Sequence, residues 1–227
     1  MSLIFPPVEL PTLPIVGRSE RFPVHRIYCV GKNYAAHVRE MGSDPEREPP
    51  CFFLKPTDGI VLDGQVPYPP GTSNFHYEGE LVIAIGKDGR DIAPEQALEY
   101  VYGYTLGLDL TRRDLQKQAG ALGQPWDAGK SFDHCAPVSA VVPVEQCGHF
   151  ASGRIQLWLN GELRQDADFH ELIWANHEII SALSRLYYLR AGDLIFTGTP
   201  AGVGPLARGD KIRLAVQGLE DLNVTIV

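Results

Sequence analysis

The chain has 227 residues, 44% hydrophobic and 21% charged, which fits a globular protein with one large or two small domains and a core that needs no staples. A net charge of −8 with a pI near 5.3 argues against nucleic acid and against an anionic membrane surface as partners. The four cysteines are widely spaced, without a C-x-x-C, so neither a zinc nor a redox motif follows.

Residues 1–23 are rich in proline and read as an extended arm or a short hairpin. Arg26–Gly31 is a short buried strand. Asn33 is placed to cap a short helix over Tyr34–Met41, which Gly42 ends. A polar, proline-rich loop runs from Gly42 to Pro50, and Cys51–Leu54 returns to strand. Residues 56–75 are turn-rich. His76–Ile85 is a strand, Ala93–Tyr100 a helix, and Tyr102–Leu110 a second long strand. Thr111 opens a short helix with Asp114 in the capping-box position. Residues 120–134 are irregular. Ile155–Arg164 is a hairpin turning on Asn160-Gly161, a strong hairpin signal. The longest helix spans residues 171–187, where Leu172, Ile173, Ile179, Ile180, Leu183 and Leu186 recur at helical spacing. Asp193–Thr197, Lys211–Ala215 and Leu222–Val227 are closing strands, with the glycine-rich run Gly198–Pro205 between the first two. Many short strands with few helices predict a β-rich, mixed α+β fold. No repeat or linker divides the chain.

Two segments imitate nucleotide loops and fail the test. Gly31-Lys32 lacks the glycine that a phosphate loop needs at position 26 and the Ser or Thr it needs at position 33. Thr197-Gly-Thr-Pro-Ala-Gly-Val-Gly204 runs into Pro205 rather than a helix. The second segment can still form a rim on which Thr199 and backbone N–H groups hold a carboxylate.

The stronger chemistry lies in the strands. Alternate strand residues share a face, so Glu78 and Glu80 present two carboxylates to one spot; taken alone, such a pair is usually a solvated edge face. The run to Asp109 places Gly103, Thr105, Gly107 and Asp109 on one face and Tyr102, Tyr104, Leu106 and Leu108 on the other. A small, polar face ending in a carboxylate predicts the wall of a pocket. Glu78, Glu80 and Asp109 would make an all-oxygen site for a hard divalent cation, Mg²⁺, Mn²⁺ or Ca²⁺. His37 and Glu40 stand three apart on a helix, which taken alone is most simply an exposed ion pair; it is also the spacing of a carboxylate-oriented general base, and the flanking loops would suit a movable lid. Lys55, Lys130 and Gln116 each read alone as ordinary polar residues.

Together these features carry a resemblance. Tyr28-Cys-Val-Gly-Lys-Asn-Tyr-Ala-Ala-His-Val-Arg-Glu-Met41, Phe53-Leu-Lys-Pro56, the Glu78-x-Glu80 strand, Gly107-Leu-Asp-Leu-Thr-Arg-Arg-Asp-Leu-Gln116, Gly129-Lys-Ser-Phe132, Trp158-Leu-Asn-Gly-Glu-Leu-Arg-Gln165 and Gly198-Thr-Pro-Ala-Gly-Val-Gly204 occur in that order. The chain resembles the fumarylacetoacetate hydrolase superfamily, in its small acylpyruvase and fumarylpyruvate hydrolase branch, from about Arg26 to the C-terminus. The resemblance implies a β-sandwich roll with short peripheral helices, an N-terminal arm over 1–25 and a single catalytic domain over 26–227. It implies a homodimer with one Mg²⁺ or Mn²⁺ per subunit on Glu78, Glu80 and Asp109; the scattered cysteines, a start unlike a signal peptide and the lack of a membrane-length apolar run add the expectation of a cytoplasmic protein. It puts the lid dyad on His37 and Glu40, the catalytic lysine on Lys130, and substrate contacts on Arg113, Gln116, Thr199 and Lys55. The implied reaction is hydrolysis of a carbon–carbon bond in acylpyruvates such as fumarylpyruvate, a small anionic keto acid. If Arg113 turns inward it is the expected anchor for the distal carboxylate, with Arg112 facing away; the alternative is that both arginines are solvated on the short helix. Oxaloacetate decarboxylation or keto–enol tautomerisation on the same site is the near alternative, and a non-catalytic keto-acid-binding module the distant one. One departure stands out: the family pattern His-His-Glu-x-Glu, with a bulkier middle residue, here reads His76-Tyr-Glu-Gly-Glu80. Tyr77 and Gly79 are therefore expected to loosen the strand or to change its outer face.

Overall fold

The computed structural model describes residues 3–7, 9–42, 44 and 47–227, so parts of the N-terminal arm and of the polar loop at 42–50 lie outside the described residues. Two sheets face each other. The first has six strands in the order Val142–Pro143, Val101–Leu108, Gly79–Ile85, Leu194–Phe196, Ile27–Gly31 and Cys51–Lys55. Leu194–Phe196 runs parallel to Ile27–Gly31, and the remaining pairs are antiparallel. The second has five strands in the order Glu162–Asp168, Arg154–Leu159, Lys211–Val216, Leu222–Ile226 and Gln65–Val66. The mixed α+β architecture is the one expected from the sequence.

Gly79–Ile85 is buried along its whole length, as a central strand covered on both faces must be. The hairpin turns at Asn160 and Gly161, both with positive φ (53° and 84°), the geometry of the tight turn that matches strand twist. The second sheet meets the first at Gly79. A Cβ there would lie 2.8 Å from a Leu214 methyl and 2.9 Å from one of Leu157. Gly79 therefore does not loosen the strand. It admits the facing sheet, and its N–H donates to Gln165 Oε1 at 3.0 Å. Tyr77 is likewise fixed, donating its hydroxyl to the Gly202 carbonyl at 2.9 Å.

The small face of Val101–Leu108 also has a packing origin. A Cβ on Gly107 would meet the Phe196 ring at 2.5 Å, and one on Gly103 the Val142 carbonyl at 2.3 Å. Thr105 donates to the Ser139 carbonyl at 2.8 Å. Contrary to expectation, this face is a close contact between strands, and of its four residues only Asp109 reaches the cavity.

The short helices differ in detail from the sequence pattern. Helix α1 covers Ala35–Glu40 and has no side-chain cap. Asn33 is instead a buried staple: its amide donates to the carbonyls of Thr197 (2.7 Å) and Trp174 (3.0 Å) and accepts from the Trp174 N–H (2.8 Å). Helix α2 covers Arg113–Ala121, two residues later than expected. Asp114 ties it to the preceding loop through Thr72 and Ser73 rather than forming a capping box. The irregular stretch contains a short helix α3, Asp127–Lys130. The long helix is Asn176–Leu186, preceded by a 3-10 turn at Phe169–Glu171. The arm does form a hairpin, Thr12–Pro14 with Arg21–Pro23, and buries Leu13 and Phe22 in the core. Among the described residues no helix is long and apolar enough to cross a membrane.

Candidate metal centre and cavity

Glu78 lies in the break between Phe75–Tyr77 and Gly79–Ile85, Glu80 one residue inside the latter, and Asp109 just beyond Val101–Leu108. The register pairs Gly79 with Leu108 and Glu80 with Gly107, and the Asp109 N–H donates to the Glu78 carbonyl at 2.8 Å. This pairing brings the third carboxylate beside the first two. One ligand oxygen from each lies within 4.8 Å of the others, and all three side chains are buried.

Cations surround two of the three. Lys130 spends its three N–H bonds on Glu78 Oε2 (2.6 Å), Asp109 Oδ2 (2.7 Å) and Thr111 Oγ1 (2.8 Å). Arg113 donates to Glu78 Oε1 and, through its other terminal nitrogen, to Gln116 Oε1. Lys130 and Arg113 meet here because α3 packs tightly on α2: a Cβ on Gly129 would stand 2.8 Å from the Gln116 backbone. Burial pushes the Glu78 carboxyl up, but Lys130 and Arg113 outweigh it and hold Glu78 below the ordinary carboxylate range. Lys55 sits behind the site. Its Nζ is 2.8 Å from Asp109 Oδ1, while its hydrogen bonds go to the carbonyls of Lys130 (2.6 Å) and Leu110 (3.1 Å), leaving Oδ1 without an aligned donor.

Glu80 is different. It is 2% exposed, and Glu80 Oε2 accepts from the Gly198 N–H at 2.7 Å, with no cationic side chain paired to it among the described residues. Burial first, then the charges of Asp109 and Glu78, raises its carboxyl well above the usual range. A buried carboxylate beside two others, short of positive charge, with only oxygen donors converging, fits a hard divalent cation.

These groups form the inner end of a cavity of about 530 Å³. Its walls include His37 and Val38 from α1, Phe53, Trp126, Gln116 and Lys117 from α2, and Thr199. His37 Nδ1 lies 3.1 Å from Glu40 Oε2, and Glu40 Oε1 accepts from the Gly202 N–H at 3.0 Å. The glycine-rich run thus holds two carboxylates of the protein itself, Glu80 through Gly198 and Glu40 through Gly202. At Gly202 a Cβ would collide with the Arg164 carbonyl at 1.9 Å, so only glycine fits. The Thr199 hydroxyl faces the same loop contacts, donating to the Gly79 carbonyl (3.0 Å) and accepting from Gln165 (2.8 Å).

His37, Arg113, Gln116, Lys130 and Thr199 therefore line one cavity with the carboxylates; Glu40 stands behind His37, and Lys55 lies beneath Asp109, away from the lining. Arg113 does turn inward, and its two terminal nitrogens go to Glu78 and Gln116. Arg112 faces away, its guanidinium 4.4 Å from the centre of the Phe132 ring. The contribution of Phe53 and Trp126 to the wall was missed in the sequence, since isolated aromatics carry no spacing signal.

A mixed α+β fold with a buried carboxylate triad at the end of a cavity defines a protein of the divalent-metal class. The chain belongs to the fumarylacetoacetate hydrolase family: the family model described as "Fumarylacetoacetate (FAA) hydrolase C-terminal" matches residues 26–227. It is 45% identical over 184 residues to a fumarylpyruvate hydrolase of Ralstonia sp, covering 81% of this chain and 95% of that protein. An oxaloacetate tautomerase of Bos taurus is 43% identical over 194 residues, covering 85% and 87%. The crystal structure of fumarylpyruvate hydrolase from Pseudomonas aeruginosa in complex with Mn²⁺ and pyruvate superposes with a TM-score of 0.97 at 50% identity, covering 100% of this chain and 99% of that one.

Proposed function

We propose that the chain is a metal-dependent hydrolase that cleaves the carbon–carbon bond of acylpyruvates such as fumarylpyruvate. The observation that carries this reading is the meeting, in one cavity, of a carboxylate triad short of positive charge with a histidine whose Nδ1 is held by Glu40. Glu78, Glu80 and Asp109 would hold the cation, which when bound supplies Lewis acidity at the keto-acid end of the substrate. Mg²⁺ and Mn²⁺ both suit the donor set.

With Nδ1–H donated to Glu40, His37 presents an unprotonated Nε2 to the cavity. Nε2 takes a proton from water as the water oxygen adds to the carbonyl beyond the methylene. The bond between that carbonyl carbon and the methylene then breaks. Its electron pair passes to the pyruvate half, which takes up a proton, and the acyl half leaves as a carboxylic acid. Lys130 and Arg113 keep Glu78 ionised and put positive charge at the end of the cavity where negative charge develops. Val38, Phe53 and Trp126 limit access of bulk water.

In the same reading residues 26–227 form the catalytic domain and residues 1–25 an N-terminal arm. The functional unit is a cytoplasmic homodimer acting in aromatic catabolism. All four cysteines are free, which suits a reducing compartment. A second reading has specific support: an oxaloacetate decarboxylase of Dictyostelium discoideum is 40% identical over 207 residues, covering 89% of this chain. The His37–Glu40 pair favours hydrolysis, because decarboxylation needs no water-activating base, and it counts against a non-catalytic binding module. The deciding experiment supplies the Mn²⁺-loaded protein with fumarylpyruvate, acetylpyruvate and oxaloacetate in parallel. Faster cleavage of fumarylpyruvate supports the hydrolase; faster loss of CO₂ from oxaloacetate, or faster tautomerisation, replaces it.

A further inference from the structure

The cavity extends beyond the groups that the chemistry uses, and its outer part carries charge of the opposite sign to the triad. Lys117 and Lys32 both line it. Both are exposed, and neither is paired with a carboxylate among the described residues. The other lining cations, Lys130 and Arg113, are committed to Glu78 and Asp109.

Helix α2 sets the spacing. Arg113, Gln116, Lys117, Gly120 and Ala121 line the cavity at intervals of three and four, so one face of the helix forms the wall. Arg113 marks the inner end, where it holds Glu78. Lys117 stands four residues further along, about 6 Å on the helix axis. In fumarylpyruvate the far carboxylate carbon lies five bonds from the α-keto carbon, about 6 Å in an extended chain. Gln116 lies between, its Oε1 taken by Arg113 and its amide N–H bonds without a partner among the described residues.

We propose that Lys117 and Lys32 form a distal anion subsite that selects α-keto acids bearing a second carboxylate at the seven-carbon length. The proposal rests on the acylpyruvate reading for its natural substrate, but concerns recognition rather than cleavage. Oxaloacetate is too short to use the subsite while its keto-acid end lies at the triad, so the two lysines separate a long dicarboxylate from a short one.

The test uses binding, independent of turnover. The Mn²⁺-loaded protein is titrated calorimetrically with 2-oxoheptanedioate and 2-oxoheptanoate, α-keto acids of equal length that differ in the far carboxylate. Neither has the second carbonyl that cleavage needs. An exposed ammonium–carboxylate pair contributes roughly two- to fivefold, so two give a preference for the diacid of about tenfold. K117Q and K32Q should each lower that preference, and the double variant should erase it; K211Q, on the far sheet, should retain it. No preference in the wild type, including no measurable binding of either acid, overturns the subsite, as does a double variant that keeps the preference. A diacid preference erased in the double variant but accompanied by no cleavage of any acylpyruvate leaves the subsite standing and removes the hydrolase reading.

Discussion

The inner end of the cavity and the α1 wall are built on opposite principles. At the inner end, Glu78, Glu80, Asp109, Lys130 and Arg113 are each buried to 4% exposure or less and interlocked by charge-assisted bonds. Their positions follow from strand register and from the tight packing of α3 on α2. The wall has six helical residues without a side-chain cap, and its docking rests on few polar ties, among them His37 to Glu40 and Glu40 to Gly202. Neighbouring parts of one site thus differ in what a substitution disturbs. A change at the inner end alters folding free energy and ion binding together. A change on the wall alters proton transfer and the docking of the wall, with folding free energy and ion binding little disturbed.

The largest effect is expected at Glu80. E80Q should abolish detectable Mn²⁺ binding and turnover, yet leave the metal-free protein more stable at neutral pH. The sign follows from the raised carboxyl: its contribution is favourable while protonated and is lost as pH rises through the folded value. The gain should therefore be absent in acid and appear towards neutrality; 1 kcal/mol would read as roughly 2–4 °C in Tm for a chain of this size. Thermal melts with and without Mn²⁺ check both halves. A metal-free E80Q less stable than wild type at pH 7 would show that Glu80 is not short of positive charge.

Lys130 comes next. K130M leaves two carboxylates facing each other without their shared ammonium, and breaking a buried pair in this way costs about 3–5 kcal/mol. Denaturant unfolding of the metal-free protein measures it. Added Mn²⁺ should recover part of the loss by neutralising the same carboxylates. A loss below about 1 kcal/mol would place Lys130 among the weakly coupled surface pairs.

H37A tests the wall. Turnover should fall by roughly 10²-fold or more, as for loss of a general base, with Mn²⁺ affinity within about twofold of wild type. Loss of metal binding in H37A would make His37 a ligand and collapse the distinction between the two regions.

The same contrast governs how much was legible in the sequence. The triad could be read because strand periodicity is local: Glu78 and Glu80 must share a side, and Asp109 ends its strand with a carboxylate. His37 and Glu40 could be read because helical spacing is local too. What escaped depends on partners distant in sequence. Gly79, Gly103 and Gly107 looked like loosening or pocket-forming positions, and each is a close contact with a strand or side chain that only the fold supplies. Asn33 has the residue type and position of a cap, but its partners are Trp174 and Thr197. Arg113 looked solvent-facing or substrate-facing on a short helix, and nothing near it in sequence indicated that Glu78 would claim it.

The smallest effect is expected at Glu40, and it probes the tie that joins the wall to the glycine-rich run. Glu40 uses one oxygen for Gly202 and the other for His37, so in E40Q the amide oxygen can keep the Gly202 N–H bond and α1 should stay docked, while the amide NH2 faces His37 Nδ1 in place of an acceptor. His37 then loses the acceptor that holds its Nδ1–H and the counter-charge for the proton it takes from water. Turnover should fall by about tenfold, less than in H37A. E40A removes both hydrogen bonds as well, and should add to that loss a rise in KM as the wall comes away from Gly202. If E40Q and E40A behave alike, the tie to Gly202 contributes nothing and Glu40 acts only through His37. If E40Q is as damaged as H37A, the charge on Glu40 is indispensable to the base, and the wall is no less electrostatic in its logic than the inner end of the cavity.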